Sequence, residues 1–171
     1  MTQSKTLRRW ELALLLGVAL AALLGVWLDG AQAALSDRVI RLHVLANSDS
    51  EADQALKLRV RDAVLAEAEE LFVPGAGRAE TEELLRAHLY DLAAAGAEVV
   101  GEAGYSYPVT ASLVHDYWFP PKTYTDFALP AGAYTALRIE IGAGGGQNWW
   151  CVVFPPLCLG SVSETTQETA L

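Results

Sequence analysis

Apolar positions follow three different patterns along this chain. Residues 12–28 are apolar without a break. From Arg38 to Ala46 apolar and polar positions alternate: Ile40, Leu42 and Val44 fall on one face and Arg41 and His43 on the other, the period-two pattern of a half-buried strand. Beyond Asn47-Ser48-Asp49-Ser50-Glu51 the period becomes helical up to about Phe72. Leu56, Val60, Ala63, Val64 and Leu71 share a stripe, while Lys57, Arg59, Arg61, Glu67 and Glu70 lie mostly elsewhere. Ser48 and Glu51 have the spacing of a capping box, and Asp49 and Asp53 add negative charge where a helix N-terminus favours it.

Val73-Pro74-Gly75-Ala76-Gly77 breaks the pattern. Helical period resumes at Glu80 and runs to about Ala95, with Leu85, Leu89 and Leu92 as its stripe; Gly96 ends it, or it continues towards Val100 before Gly101. From Tyr105 the period is two again: Val109, Ala111 and Leu113 face one way, Thr110 and Ser112 the other. That strand stops at Phe119-Pro120-Pro121, and a loop leads to Gly132. Tyr134 to Ile141 predicts another strand, Gly142 to Gly146 a turn, and Asn148 to Phe154 the returning strand of a hairpin. Residues 160–171 are polar and are expected to be disordered. The order β-α-α-β-β-β predicts an α+β fold, a mainly antiparallel sheet with helices on one face, as a single domain over residues 34–159.

The N-terminus changes the setting of that domain. Lys5, Arg8 and Arg9 precede a 17-residue apolar run, Leu12 to Leu28, which Asp29-Gly30 ends; Ala31-Gln32-Ala33 then has the small-residue form of a cleavage site. Residues 1–33 thus read as a signal peptide. The run spans about 25 Å as a helix, close to a thin hydrocarbon core, so an uncleaved anchor contacting the membrane through residues 12–28 is the competing reading. Because the basic residues precede the apolar run, both place the rest of the chain outside the cytoplasm.

Charge narrows the partners. From Ala34 onward nine basic residues stand against nineteen acidic ones, a formal charge of −10. Such a domain is a poor match for nucleic acid or for an anionic lipid surface. About 138 residues suffice for a core without staples. An exported domain with two cysteines is of the kind that forms a disulfide; Cys151 and Cys158 are the candidates, and closing so short a loop stabilises by about 2–3 kcal/mol at most.

The most unusual composition lies at Asn148-Trp149-Trp150-Cys151-Val-Val-Phe154-Pro155-Pro156-Leu-Cys158. On a regular strand Trp149, Cys151 and Val153 share one face and Trp150, Val152 and Phe154 the other. Both faces are apolar. Either this is a central strand buried on both sides, or one of its faces is a partner-binding surface, for which Asn148, Trp149, Trp150 and Phe154 are the candidate residues. A catalytic thiol at Cys151 or Cys158 needs His43 or His115 within hydrogen-bond reach. Asp49-x-Glu51-x-Asp53 lacks the glycine and distal glutamate of a calcium loop and reads as helix capping. His43, His88 and His115 have no metal spacing, and His88 reads as a partly buried core or boundary residue. Gly142-x-Gly144-Gly-Gly146 is followed by a strand where a phosphate cradle needs a helix. No metal or cofactor is expected.

Val39-Ile-Arg-Leu-His-Val-Leu-Ala-Asn-Ser-Asp-Ser50, running into Asp53-Gln-Ala-Leu-Lys57 and Val60-Arg-Asp62-Ala-Val64, resembles the N-terminal signature of the stage II sporulation protein R family. Leu129-Pro-Ala-Gly-Ala-Tyr134-x-Ala-Leu-Arg138-Ile through Gly144-x-Gly146-x-Asn148-Trp-Trp-Cys151-Val-Val-Phe-Pro-Pro-Leu-Cys158 resembles its C-terminal signature. The resemblance covers roughly Val39 to Leu159. It implies an intercellular signal of endospore formation, made in the forespore and exported into the space between forespore and mother cell. There it triggers a membrane-embedded aspartic protease of the mother cell, which cleaves the sigma-E precursor. Such a protein is not itself an enzyme. After Cys158 this chain has only a short polar tail, whereas members of the family often carry a longer C-terminal extension. The alternative reading is an exported cysteine-dependent hydrolase or transpeptidase acting on cell-wall peptides.

Overall fold

A computed structural model describes residues 8–124 and 127–156. The chain divides into two compact units, Met1–Leu35 and Ser36–Leu171. The first is built on helix α1, Arg9–Ser36, whose segment Arg9–Trp27 is long and apolar enough to cross a membrane. Its large apolar side chains, Leu14, Leu16, Val18, Leu23 and Trp27 among them, are exposed. An apolar helix of this kind is compatible with a signal sequence or an anchor.

The second unit is α+β. Its elements are β1 (Ile40–Leu45), α2 (Glu51–Glu70), α3 (Arg78–Ala87), α4 (Leu89–Glu102), β2 (Val109–Phe119), β3 (Lys122–Thr123), β4 (Ala128–Leu129), β5 (Gly132–Ile141) and β6 (Asn148–Phe154). The main sheet has the order β2-β5-β1-β6. β1 runs parallel to β5 and antiparallel to β6, and β2 is antiparallel to β5. The expected antiparallel character holds for two of these three pairings. The region read as a plain loop between Phe119 and Gly132 contains a small antiparallel ribbon, β3 with β4.

The helices pack on one face. Ile40, Leu42 and Val44, Leu137, Ile139 and Ile141, and Cys151 and Val153 meet Leu56, Val60, Val64, Leu85 and Leu92 in the principal core. The expected second helix is two, with a break at His88, whose Nδ1 lies 2.9 Å from Asp91 Oδ2. Gly96 does not end α4; it sits mid-helix because α4 runs close to its neighbours. A Cβ there would lie 3.0 Å from Val109 Cγ1 and 3.1 Å from Val60 Cγ1.

Two expectations about strand placement are corrected. β1 is not half-buried: all six of its residues are buried, because it is an inner strand with a second small core on its far face. Nor do β5 and β6 form a hairpin, since β1 lies between them. The glycine run instead crosses the end of β1 and is tied down there. Gly146 N donates to Ala46 O (3.0 Å), Ala143 N to Asn47 Oδ1 (3.0 Å) and Gln147 N to Asp49 Oδ1 (2.7 Å). Ser48 is likewise not the helix cap. Ser50 is, accepting from Asp53 N, while Ser48 Oγ and Asn47 Nδ2 donate to the Asp53 carboxylate at 2.5 and 2.9 Å. Those two bonds hold the Asp53 carboxyl below its usual range.

Candidate functional site

β6 is the last strand of the sheet rather than a central one, and a groove of about 710 Å³ runs along it. Asn148 to Val152 form its floor. One wall is the N-terminal half of α2, with Glu51, Gln54, Lys57 and Leu58; the other is the ribbon, with Lys122, Tyr124 and Phe127. The ribbon stands as a wall because the Tyr124 and Phe127 rings stack, 4.5 Å apart and 19° from parallel, and Tyr124 N donates to Phe127 O. Lys57 is buried and donates to Gln54 Oε1 (2.6 Å) and Gln147 O (3.0 Å), fastening α2 to the approach to β6. Burial lowers its pKa, opposed by the attraction of Asp49.

The two tryptophans leave β6 on opposite faces. Trp149 packs on the helix side, with the Arg61 guanidinium 4.4 Å from its ring centroid. Trp150 packs on the far side against His43 and Phe119. Each is half-buried, and each indole Nε1 is buried with no acceptor among the described residues. Asn148 is exposed, yet its Oδ1 lies 2.9 Å from His43 Nε2.

Phe154 is not part of this floor. The register of β6 against β1 shifts between Ile40 and Arg41, and this irregularity carries Phe154 to the helix side, where it packs on Phe72 at 6.4 Å. The site therefore brings together Asn148, Trp149 and Trp150 and leaves Phe154 out.

Beneath the ribbon lies the second core: Val39, Phe119, Leu129, Tyr134, Ala136 and Val152. A shift in β2 feeds it. Between Val114 and Tyr117 the strand takes one residue more than β5, with Asp116 at φ 53°; an extra residue reverses the faces beyond it. Tyr117 and Phe119 thereby turn away from the helices. They cover Arg41 and His43, both buried. The Arg41 guanidinium lies 4.1 Å from the Phe119 centroid and 5.1 Å from that of Tyr134. Tyr124 approaches it, but no Arg41 nitrogen has a partner of hydrogen-bond geometry among the described residues. Burial lowers the pKa of Arg41 and also that of His43, where Arg138 and Arg41 add to the effect against the Asn148 bond.

Cys151 is buried on the helix side and is disulfide-bonded; Cys158 lies outside the described residues, as do residues 160–171. In register Cys151 faces Leu42, whereas His43 faces Trp150, so the sheet separates thiol position and imidazole. His115 lies on β2, at the opposite edge of the sheet, three strand spacings or about 14 Å away. It bonds instead to Thr135 and to Glu82. Among the described residues no cluster of His, Cys, Asp and Glu is arranged to hold a metal ion.

Sequence reasoning missed Lys57, Lys122, Tyr124 and Phe127 as site residues. One signal was present: Lys57 and Lys122 are the only lysines after Lys5.

The second unit is thus an α+β domain with a walled groove beside a terminal strand. Residues 36–164 match the profile of the family described as stage II sporulation protein R (spore_II_R), and the chain belongs to that family. It is similar to the protein named stage II sporulation protein R of Bacillus subtilis (strain 168), 39% identical over 124 residues that make up 72% of this chain and 55% of that protein. The chain therefore spans little more than half the length of this curated relative. No solved structure matches it. Membership places the chain among sporulation proteins.

Proposed function

We propose that this chain is an intercellular signal of endospore formation. It is exported from the forespore and activates the membrane-embedded aspartic protease of the mother cell that processes the sigma-E precursor. The observation that carries this reading is the family match over residues 36–164. Two features support it. Helix α1 offers an apolar stretch suited to export or to anchoring at the forespore membrane through residues 12–28. The domain behind it carries a groove open to a partner. Activation then proceeds by docking in the intermembrane space, without chemistry by this chain. Deleting the gene in the sporulating host tests the reading. The sigma-E precursor should accumulate uncleaved on an immunoblot, and the intact gene should restore cleavage. Normal processing in the deletion strain overturns it.

A further inference from the structure

Three observations at the groove point to one kind of occupant. β6 ends the sheet, so beyond Asn148 to Trp150 no strand lies alongside among the described residues. Main-chain groups along such an edge are a template for another strand. The indole N–H groups of Trp149 and Trp150 are buried without an acceptor among the described residues, and a buried donor left unmatched is costly. Both lysines of the strongly acidic second unit, Lys57 and Lys122, line this one groove, and among the described residues that line it Glu51 alone is acidic.

We propose that β6 receives an extended acidic segment of the activated protease as an added strand. Its main chain pairs with the Asn148–Trp150 edge, and its carboxylates lie towards Lys57 and Lys122. Strand addition supplies affinity through the main chain and specificity through alternate side chains. The charge pattern supplies the sign: elsewhere an acidic domain repels an acidic partner, so the lysines direct it to this edge. The source of the segment rests on the activator reading above; its chemistry rests on the groove.

The full chain in mild detergent provides the test, probed with a ten-residue peptide alternating valine and glutamate. Its controls are the lysine-for-glutamate counterpart and a version N-methylated at alternate residues. The acidic peptide should bind at least tenfold more tightly than either control and should shift the Trp149 and Trp150 indole N–H signals in nitrogen-15 spectra. Lys122→Glu should abolish the preference for the acidic peptide while leaving the spectrum of the free protein otherwise intact, and in the host it should reduce precursor cleavage. Equal binding of acidic and lysine peptides, or of the N-methylated one, overturns strand addition. So do contacts from residues 160–171 to Trp150, which would give the groove to the chain's own tail. A concentration-dependent dimer joined through β6 overturns it in favour of a second copy. The two proposals fail separately. Cleavage that depends on the gene without any peptide preference removes strand addition alone; gene-independent cleavage removes the activator reading and with it the protease as the segment's source, while the peptide assay still decides the groove's chemistry.

Discussion

Asn47 occupies the space that a side chain on Gly142 would need: a Cβ on Gly142 would lie 2.3 Å from Asn47 Oδ1. Four residues on, a Cβ on Gly146 would lie 2.2 Å from the carbonyl oxygen of Ser48. The loop after β1 and the glycine run before β6 are therefore one joint, and the two family signatures meet there. A flexible side chain can move aside, but a backbone carbonyl fixed between β1 and α2 cannot.

Gly146→Ala should accordingly destabilise by about 2–3 kcal/mol, the cost of overpacking a site that cannot relax. Gly101→Ala is the contrast. It lies in α4 with no atom near its Cβ position, and it should stabilise by about 0.5–1 kcal/mol through helix propensity. Paired urea titrations of the two variants check both signs.

His43 predicts a pH dependence. Its pKa is lowered in the folded state, first by burial and then by Arg138 and Arg41. Below the ordinary histidine value of about 6.5 the unfolded chain binds a proton that the folded chain refuses. Stability should therefore fall as pH drops through 6.5, with this residue contributing a slope of at most about 1.4 kcal/mol per pH unit, and the contribution should be absent at higher pH. Denaturation between pH 5 and 8 should show the slope in the parent and lose it in His43→Gln.

Arg41 separates shape from charge. The guanidinium is buried between Phe119 and Tyr134, with no carboxylate beside it among the described residues. Replacing a buried charge by an apolar group of similar volume is often neutral or stabilising, whereas a cavity is costly. Arg41→Met should change stability by less than about 1 kcal/mol, and Arg41→Ala should cost about 3–5 kcal/mol. Equal losses in thermal unfolding would show instead that the guanidinium itself is required.

These residues also mark where the sequence was legible. The β6 boundaries, the helix-side alternation of Val109, Ala111 and Leu113, and the α+β class follow from local periodicity and stand in the structure. Strand order was not legible, because the spacing across Gly142–Gly146 suits a hairpin and only long-range pairing inserts β1. Arg41 and His43 read as solvent-facing because polarity along one strand cannot reveal that Phe119 and Tyr124, some 80 residues later, come back to cover them. The single extra residue in β2 that turns Phe119 inward has no periodic signature. For the groove, Trp149 and Trp150 stood out by composition, but its walls depend on the α2 and ribbon placements.

Cys151 gives the last prediction, which separates the docking reading from thiol chemistry. A nucleophilic thiol needs a base within about 3 Å. Cys151 is disulfide-bonded and faces the helix side beside Leu42. His43 emerges on the other face, and His115 stands at the far edge engaged with Thr135 and Glu82. Rotation of a side chain can carry neither His43 through the sheet nor His115 across three strand spacings. Cys151→Ser should therefore retain the precursor-cleavage signal in the host while losing at most about 2–3 kcal/mol of stability for so short a loop. Measuring both matters, because a less stable exported protein signals less simply by being scarcer. With protein levels matched by immunoblot, a cleavage defect of a hundredfold or more in a folded Cys151→Ser chain would restore the hydrolase reading. Cleavage within a few-fold of the parent would leave Cys151 as a fastening of the β6 strand.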